Sequence, residues 1–354
     1  MKKFLDCISV VGTTPSRFQG TKKYVSTGAV ATTEIVGSEV VEVTYEDRPS
    51  RANLTAEAGD ILFAKMQGTR KTLLLDSETE DNIYSTGFYA VRANPDVITT
   101  ECLYYLVDSE LFLAQKDKNC SGATQKAITN GGLAKIEISV PPLSEQSILT
   151  EKLRYLTQLI ADKRKQLELF DEVIKSRFIE MFGDKGYPKL KWNEVFSTTT
   201  GKLDSNAMVA DGEYPFFTCA KEVFRIDKYA FDQEALLLAG NNAAGKYDVK
   251  YYKGKFNAYQ RTYVLGLKQN WSYQLFRYQL EDKLDYLQQQ SLGGLTKYLT
   301  IKILGELEFI VPPMDKQDEF TAFVEQTDKS KFEIQKSLEK LEILKKSLMQ
   351  QYFG

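Results

Sequence analysis

Histidine is absent from all 354 residues. That absence excludes a His-based hydrolytic triad, an HExxH zinc site and a His-ligated haem or copper centre. Cysteine is scarce and scattered: Cys7, Cys102, Cys120 and Cys219 form no CxxC pair. They read as buried thiols of a reducing cytoplasm, not as a disulfide or zinc framework. No window approaches the ~18 consecutive apolar residues that cross a bilayer. The opening MKKFLDCISVV carries only a short apolar run broken by Asp6, so neither a signal peptide nor a membrane partner is expected, and the cytoplasm is the expected compartment. An excess of one charge is also missing, since 46 Lys+Arg face 48 Asp+Glu. No global field therefore favours nucleic acid, and any such reading rests on local basic patches.

What is present first is self-similarity. The stretch 139-SVPPLSEQ-146 recurs as 310-IVPPMDKQ-317, an offset of 171 (317 minus 146). Carried forward without a gap, it sets Phe182-Gly183 on Phe353-Gly354. Carried backward, it pairs Gly122 with Gly293, Lys126 with Lys297, Thr129 with Thr300 and Leu133 with Leu304. The chain thus reads as two halves of one plan, each a mixed segment, a Val-Pro-Pro and a long helix.

The helices share a register. Leu149, Leu153, Leu156, Ile160, Lys163, Leu167, Phe170, Ile174, Arg177 and Met181 alternate in steps of four and three. The offset yields Phe320, Val324, Thr327, Lys331, Ile334, Leu338, Leu341, Lys345, Leu348 and Tyr352 in the second half. Such a heptad seam, held for about five repeats, predicts coiled coil. Each seam is either the buried stripe of a helix within its own domain or one side of a pair, and mutual pairing is the simpler use of two matched seams. Either direction is open to such a pair. The Pro-Pro steps set the helix starts, with Ser144 and Asp315 as predicted N-caps. The mixed segments predict an α/β fold with short strands at 60-DILFAKM-66, 87-GFYAVRA-93, 235-ALLLAG-240 and 262-TYVLGLK-268, and short helices near 99–114 and 272–289.

A search for chemistry returns little. Gly240, Gly245 and Lys246 have Walker A spacing, but Tyr247 stands where Ser or Thr must hold magnesium. Neither Pro-Pro pair sits in an Asn/Asp-Pro-Pro-aromatic methyltransferase motif. No catalytic residue, metal site or cofactor is predicted.

Local basicity remains. Between Gly240 and Lys268 lie Lys246, Lys250, Lys253, Lys255, Arg261 and Lys268 against Asp248, interleaved with tyrosines. The first half carries Lys65, Arg70 and Lys71 without an acid between Ile61 and Leu75. Ahead of each Val-Pro-Pro is a glycine-containing polar loop with one lysine, 121-SGATQKAIT-129 and 292-LGGLTKYLT-300. Small residues let backbone N–H groups approach phosphates, and Gln or Arg can reach base edges. The competing reading is a solvated strand-turn-strand face.

ILFAKM…TRK…YSTGFYAVR, then SGATQKAI…ISVPPLSEQ, then a long helix ending SRFIEMFG and a second copy ending SLMQQYFG together resemble the specificity subunits of type I restriction–modification systems. The resemblance covers essentially the whole chain. It implies two target-recognition domains of similar fold in pseudo-two-fold repeat, at 1–143 and 184–314. Antiparallel coiled-coil spacer helices would occupy 144–183 and 315–354. It also implies a non-catalytic subunit that reads a bipartite asymmetric site on double-stranded DNA. The partners would be two methylation subunits and, through the complex, restriction (translocase/nuclease) subunits. Lys65, Arg70, Lys71, Lys126, Lys246, Lys250, Lys253, Lys255, Arg261 and Lys297 are the expected DNA contacts, mostly to phosphates. Gln125 and Gln260 are candidates for base edges. In the second copy Leu295 and Thr296 replace Thr124 and Gln125. The alternative function is a coiled-coil adaptor whose two globular halves bind protein.

Overall fold

Every residue of the strand Ile61–Ala64 is buried, because its two faces serve two cores. Ile61 and Phe63 point to a core built with helices, and Leu62 and Ala64 to one enclosed by the sheets. The strand Phe231–Ala239 repeats this division, with Leu236 and Leu238 on one side and Ala235 and Leu237 on the other. A strand covered on both faces reads as an unbroken apolar run, which is how both were predicted. In this computed structural model, which describes residues 1–243, 245–294 and 296–354, the chain forms two units. The first is Met1–Lys165 with Gln335–Gly354, and the second is Gln166–Ile334.

In the first unit the sheet order is Ile8–Val11, Phe88–Ala93, Ile61–Ala64, Thr72–Leu74, all antiparallel. The second unit repeats it as Phe196–Thr200, Thr262–Leu267, Phe231–Ala239, Val249–Ala258, and extends it by Tyr214–Phe217 and Phe224–Ile226. The first unit instead places Val41–Val43, Lys22–Val25, Ile83–Ser85 and Ala52–Leu54 in a separate four-stranded sheet. The division falls where the Asp76 carboxylate accepts the N–H groups of Glu78 and Thr79 at 3.1 and 3.0 Å. This side-chain-closed turn ends the strand that the second unit carries on to Ala258.

The repeated Pro-Pro-x-x-x-Gln is a clamp. Gln146, fully buried, donates to Pro141 O (2.9 Å) and Val97 O (3.0 Å) and accepts from Thr99 N–H (2.7 Å). Gln317 donates to Pro312 O (2.8 Å) and accepts from Ser272 N–H (3.0 Å). Thr99 and Ser272 cap the helices Thr100–Val107 and Tyr273–Glu281. One amide thus satisfies backbone groups of two elements in each unit. Edge strands repeat as well: Lys3 pairs with Glu137 across one ladder (2.6 Å) and Lys191 with Glu308 across the other (3.0 Å).

The long helices run Leu143–Phe182 and Met314–Phe353. Both begin one residue before the expected spacer boundaries, so Ser144 and Asp315 lie within the first turn and cap nothing. All seam positions are buried or half-buried. In the first unit Leu149, Leu153, Met349 and Phe353 share a core with Phe4, Cys102 and Leu133, and Arg164 meets Glu342 at 2.7 Å. In the second, Ile174, Met181, Phe320 and Val324 share a core with Leu275. There Asp171 pairs with Lys331 (2.6 Å) and Arg177 with Glu319 (2.7 Å). These descending pairs fix an antiparallel direction, and both readings of the seam hold: the helices pair, and each pair also packs on its own unit. Cys7 and Cys102 are buried, whereas Cys120 and Cys219 are only half-buried, contrary to the expectation for all four. Among the described residues no helix is long and apolar enough to cross a membrane.

Candidate nucleic-acid interface

Two segments that sequence reading singled out separately are joined by hydrogen bonds in each unit. In the first, Ile128 N–H donates to Lys65 O (2.9 Å) and Gln67 N–H to Lys126 O (2.9 Å). These bonds tie the turn after Ile61–Ala64 to the loop 121–127. Ser121 and Ala127 exchange both backbone hydrogen bonds (2.9 and 3.0 Å), closing that loop. In the second unit Leu299 N–H donates to Gly240 O (2.8 Å), and Leu292 and Tyr298 exchange the same two bonds (3.1 and 2.9 Å). Asn241 and Asn242 pair with Tyr298 and Lys297 in a short ladder. The loop-side partners (Ile128 and Leu299, Ser121 and Leu292, Ala127 and Tyr298) obey the offset of 171 that the sequence repeat shows, whereas the turn-side partners Lys65 and Gly240 lie 175 apart (240 minus 65). Gly122 and Gly293 make the loops possible, with φ of +134° and +105°; a Cβ there would sit 2.4 Å from Gln125 O and 2.2 Å from Thr296 O.

The side chains on these shared frames differ. On the first, Arg70 is held by two bonds to Asp108 (3.1 and 2.9 Å). Lys71 donates to Thr27 O (2.5 Å). Lys65 donates to Thr86 O (2.9 Å) and lies 4.5 Å over the Tyr89 ring, and burial pushes its pKa below the usual lysine value. Gln125 and Lys126 are exposed and, among the described residues, bond to nothing through their side chains.

On the second frame Lys246 and Arg261 are exposed and likewise uncommitted. Gly240 N–H donates to Arg261 O (2.8 Å), and a Cβ on Gly245 would lie 3.4 Å from Lys297 Cγ. These contacts bring Lys246, Arg261 and Lys297 to one place. Lys250 is committed within the fold, donating to Ala220 O (2.8 Å) and paired with Asp248. Lys253 pairs with Glu234 (3.2 Å), and Lys255 lies opposite Asp232 with its ammonium 4.8 Å over the Tyr229 ring. Gln260 is exposed and donates to Asp204 (3.3 Å). The Walker-like segment 240–246 contains the short strand Asn241–Asn242 and is followed by the strand Val249–Ala258 where a P-loop has a helix; its Ala244 lies outside the described residues, as does Leu295 of the second loop.

One residue escaped sequence reading. Lys116, in the helix Glu110–Lys118, is 2% exposed and donates to the carbonyls of Ala64 (3.2 Å), Met66 (2.7 Å) and Thr69 (2.9 Å). No motif marks it, since a lysine near a helix C-terminus is an ordinary solvated residue in sequence.

The model of the "Type I restriction modification DNA specificity domain" family matches residues 12–169 and again 185–345. Among curated proteins, the chain is 39% identical over 127 residues to the type I restriction enzyme EcoDI specificity subunit of Escherichia coli, covering 35% of this chain and 27% of that one. It is 35% identical over 126 residues to the MjaVIII specificity subunit of Methanocaldococcus jannaschii, covering 34% of this chain and 30% of that one. These matches span less than a third of either relative. Among solved structures, a type I restriction–modification S subunit from M. genitalium aligns with a TM-score of 0.61 at 15% identity, over 100% of this chain and 95% of that one. A second, described in work on complex assembly and conformational transition of the type I R-M system, gives 0.57 at 19%, over 99% and 96%. At such identities the structural likeness concerns the fold. With two tandem family matches on two units of one plan, the chain belongs to the type I restriction–modification DNA specificity family.

Proposed function

We propose that this chain is a non-catalytic subunit that reads double-stranded DNA for a type I restriction–modification complex. One observation carries the reading. Two hydrogen-bonded turn-and-loop frames share their backbone plan yet present different polar and cationic side chains, as expected of two readers of two different short sequences. The target is then bipartite and asymmetric. Lys126, Lys246, Lys255, Arg261 and Lys297 contact phosphates or bases; Gln125 and Gln260 are placed to meet base edges. Lys65, Arg70, Lys71, Lys250 and Lys253, engaged within the fold, shape these surfaces and contribute their charge to the DNA.

The functional division follows the repeat: 1–143 and 184–314 recognise DNA, and 144–183 and 315–354 dock two methylation subunits, with restriction subunits joining through the complex. The docking role is supported by large apolar side chains left exposed on the helices, Ile148, Tyr155, Ile343 and Leu344 in the first unit and Leu169, Val173 and Ile179 in the second. The complex acts in the cytoplasm, where the DNA is.

Methylation mapping of genomic DNA with and without this chain tests the reading. A split, asymmetric motif that appears only when the chain and a methylation subunit are both present is the expected result. Methyl transfer by the purified chain alone, or DNA affinity indifferent to salt, overturns it, because phosphate contacts release counterions. Native mass spectrometry should count two methylation subunits per chain.

A further inference from the structure

A buried lysine is costly unless each of its donors finds a partner. An ammonium has three donors, and that of Lys116 meets three carbonyls, those of Ala64, Met66 and Thr69 at 3.2, 2.7 and 2.9 Å. Its neighbour holds the tip of the same turn: Gly68 N–H donates to the Asp117 carboxylate (3.0 Å) and the Gln67 amide to Asp117 O (3.2 Å). The charge is further balanced by Asp117, 3.4 Å away, and by the C-terminal end of the helix Glu110–Lys118. Above these contacts Gln67 and Gly68 are exposed, and a Cβ on Gly68 would point into open space. The turn is thus fixed from beneath by one helix end and open only outward, beside the exposed Gln125 and Lys126.

We propose that Lys116 is the positioning residue of the first unit's DNA-facing turn, holding Gln67 and Gly68 in the one shape that meets the duplex. The inference rests on the DNA reading above. It is specific to one unit, because the helix Leu284–Gln290 that lies against the second turn (LDYLQQQ) contains no lysine. An apolar residue could fill the volume of Lys116 but would leave the inward carbonyls of Ala64 and Thr69 unpaired and that of Met66 with only the Thr69 N–H (3.3 Å), and the turn would have to rearrange to satisfy them.

The test is methylation mapping in cells that supply the methylation subunit, using the full-length wild-type chain and the Lys116→Met and Asp117→Ala variants. For Lys116→Met, preference for the correct base should fall by about tenfold in one part of the split motif and stay unchanged in the other. Asp117→Ala should relax the same part by less, and it decides the matter if Lys116→Met does not accumulate. By hydrogen exchange, the Gly68 amide should open faster while the ladder between Ile61–Ala64 and Phe88–Ala93 keeps its protection. An unchanged motif, equal loss in both parts, loss of all methylation, or deprotection of that ladder each overturns the inference, the last by making Lys116 a plain structural residue. A wild-type chain that yields no motif overturns the DNA reading itself.

Discussion

The two turn-and-loop frames are nearly superimposable as hydrogen-bond diagrams and unlike as chemical surfaces. In the first unit Lys65, Arg70 and Lys71 are spent on Thr86, Asp108 and Thr27, and a buried lysine pins the turn. In the second, Lys246 and Arg261 stand uncommitted and the turn is held by a short ladder to Lys297 and Tyr298. The bonds common to both are backbone to backbone, so side chains can vary around them without loss of shape. On the proposed DNA reading, this separation of frame from surface lets one fold present two different reading surfaces.

Breaking the shared frame should have the largest effect. Gln146→Leu leaves one buried N–H and two carbonyls unpaired, and Gln317→Leu one N–H and one carbonyl. The expected losses are about 2–4 and about 1–3 kcal/mol, with the first unit hurt more, measurable as denaturant midpoints. The paired glycines come next. Gly122→Ala and Gly293→Ala force a Cβ onto a carbonyl at positive φ and should cost about 1–3 kcal/mol each, nearly equally, because the loops are equivalent. Unequal costs would show that the two loops differ in more than side chains.

The surfaces should separate the units. With DNA, Lys246→Ala combined with Arg261→Ala should flatten the slope of log affinity against log salt by up to about two units. Lys65→Ala with Lys71→Ala should change it by less than about one, since those ammonium groups already serve carbonyls. Equal slopes would mean that the first unit's lysines leave their internal partners on binding.

The smallest effect tests the edge ladders. The hydrogen bond from Lys3 holds the Glu137 carboxyl below its usual value, and that from Lys191 does the same for Glu308. A lowered folded-state pKa means stability that is present above the usual glutamate value of about 4.3 and lost as the pH falls through the folded-state value. Glu137→Gln and Glu308→Gln should therefore lower the unfolding midpoint slightly at pH 7, and both differences should shrink as the pH falls through the folded-state values and vanish below them.

The central strands were legible because both of their faces are covered, and the helix seams because ten positions in each keep one spacing. Their antiparallel direction came only from the family resemblance, since a heptad pattern is the same read from either end; Asp171 with Lys331 and Arg177 with Glu319 decide it. Of the candidate contacts, residue type picked out the basic ones but could not tell Arg261, which is uncommitted, from Arg70, which is bound to Asp108 across 38 residues. That distinction depends on which carboxylate the fold brings within reach.

By itself the sequence determined the twofold plan, the central strands and long helices of each half and the absence of histidine chemistry, because these depend on spacing and composition along the chain. The tertiary structure alone decided that the turn after each central strand joins the glycine loop some 60 residues later (Lys65 to Ile128, Gly240 to Leu299), and that Lys116 lies beneath one of these turns. Hydrogen bonds between segments so far apart leave no periodicity to read, and a lysine shows its cost only once water has been removed from it.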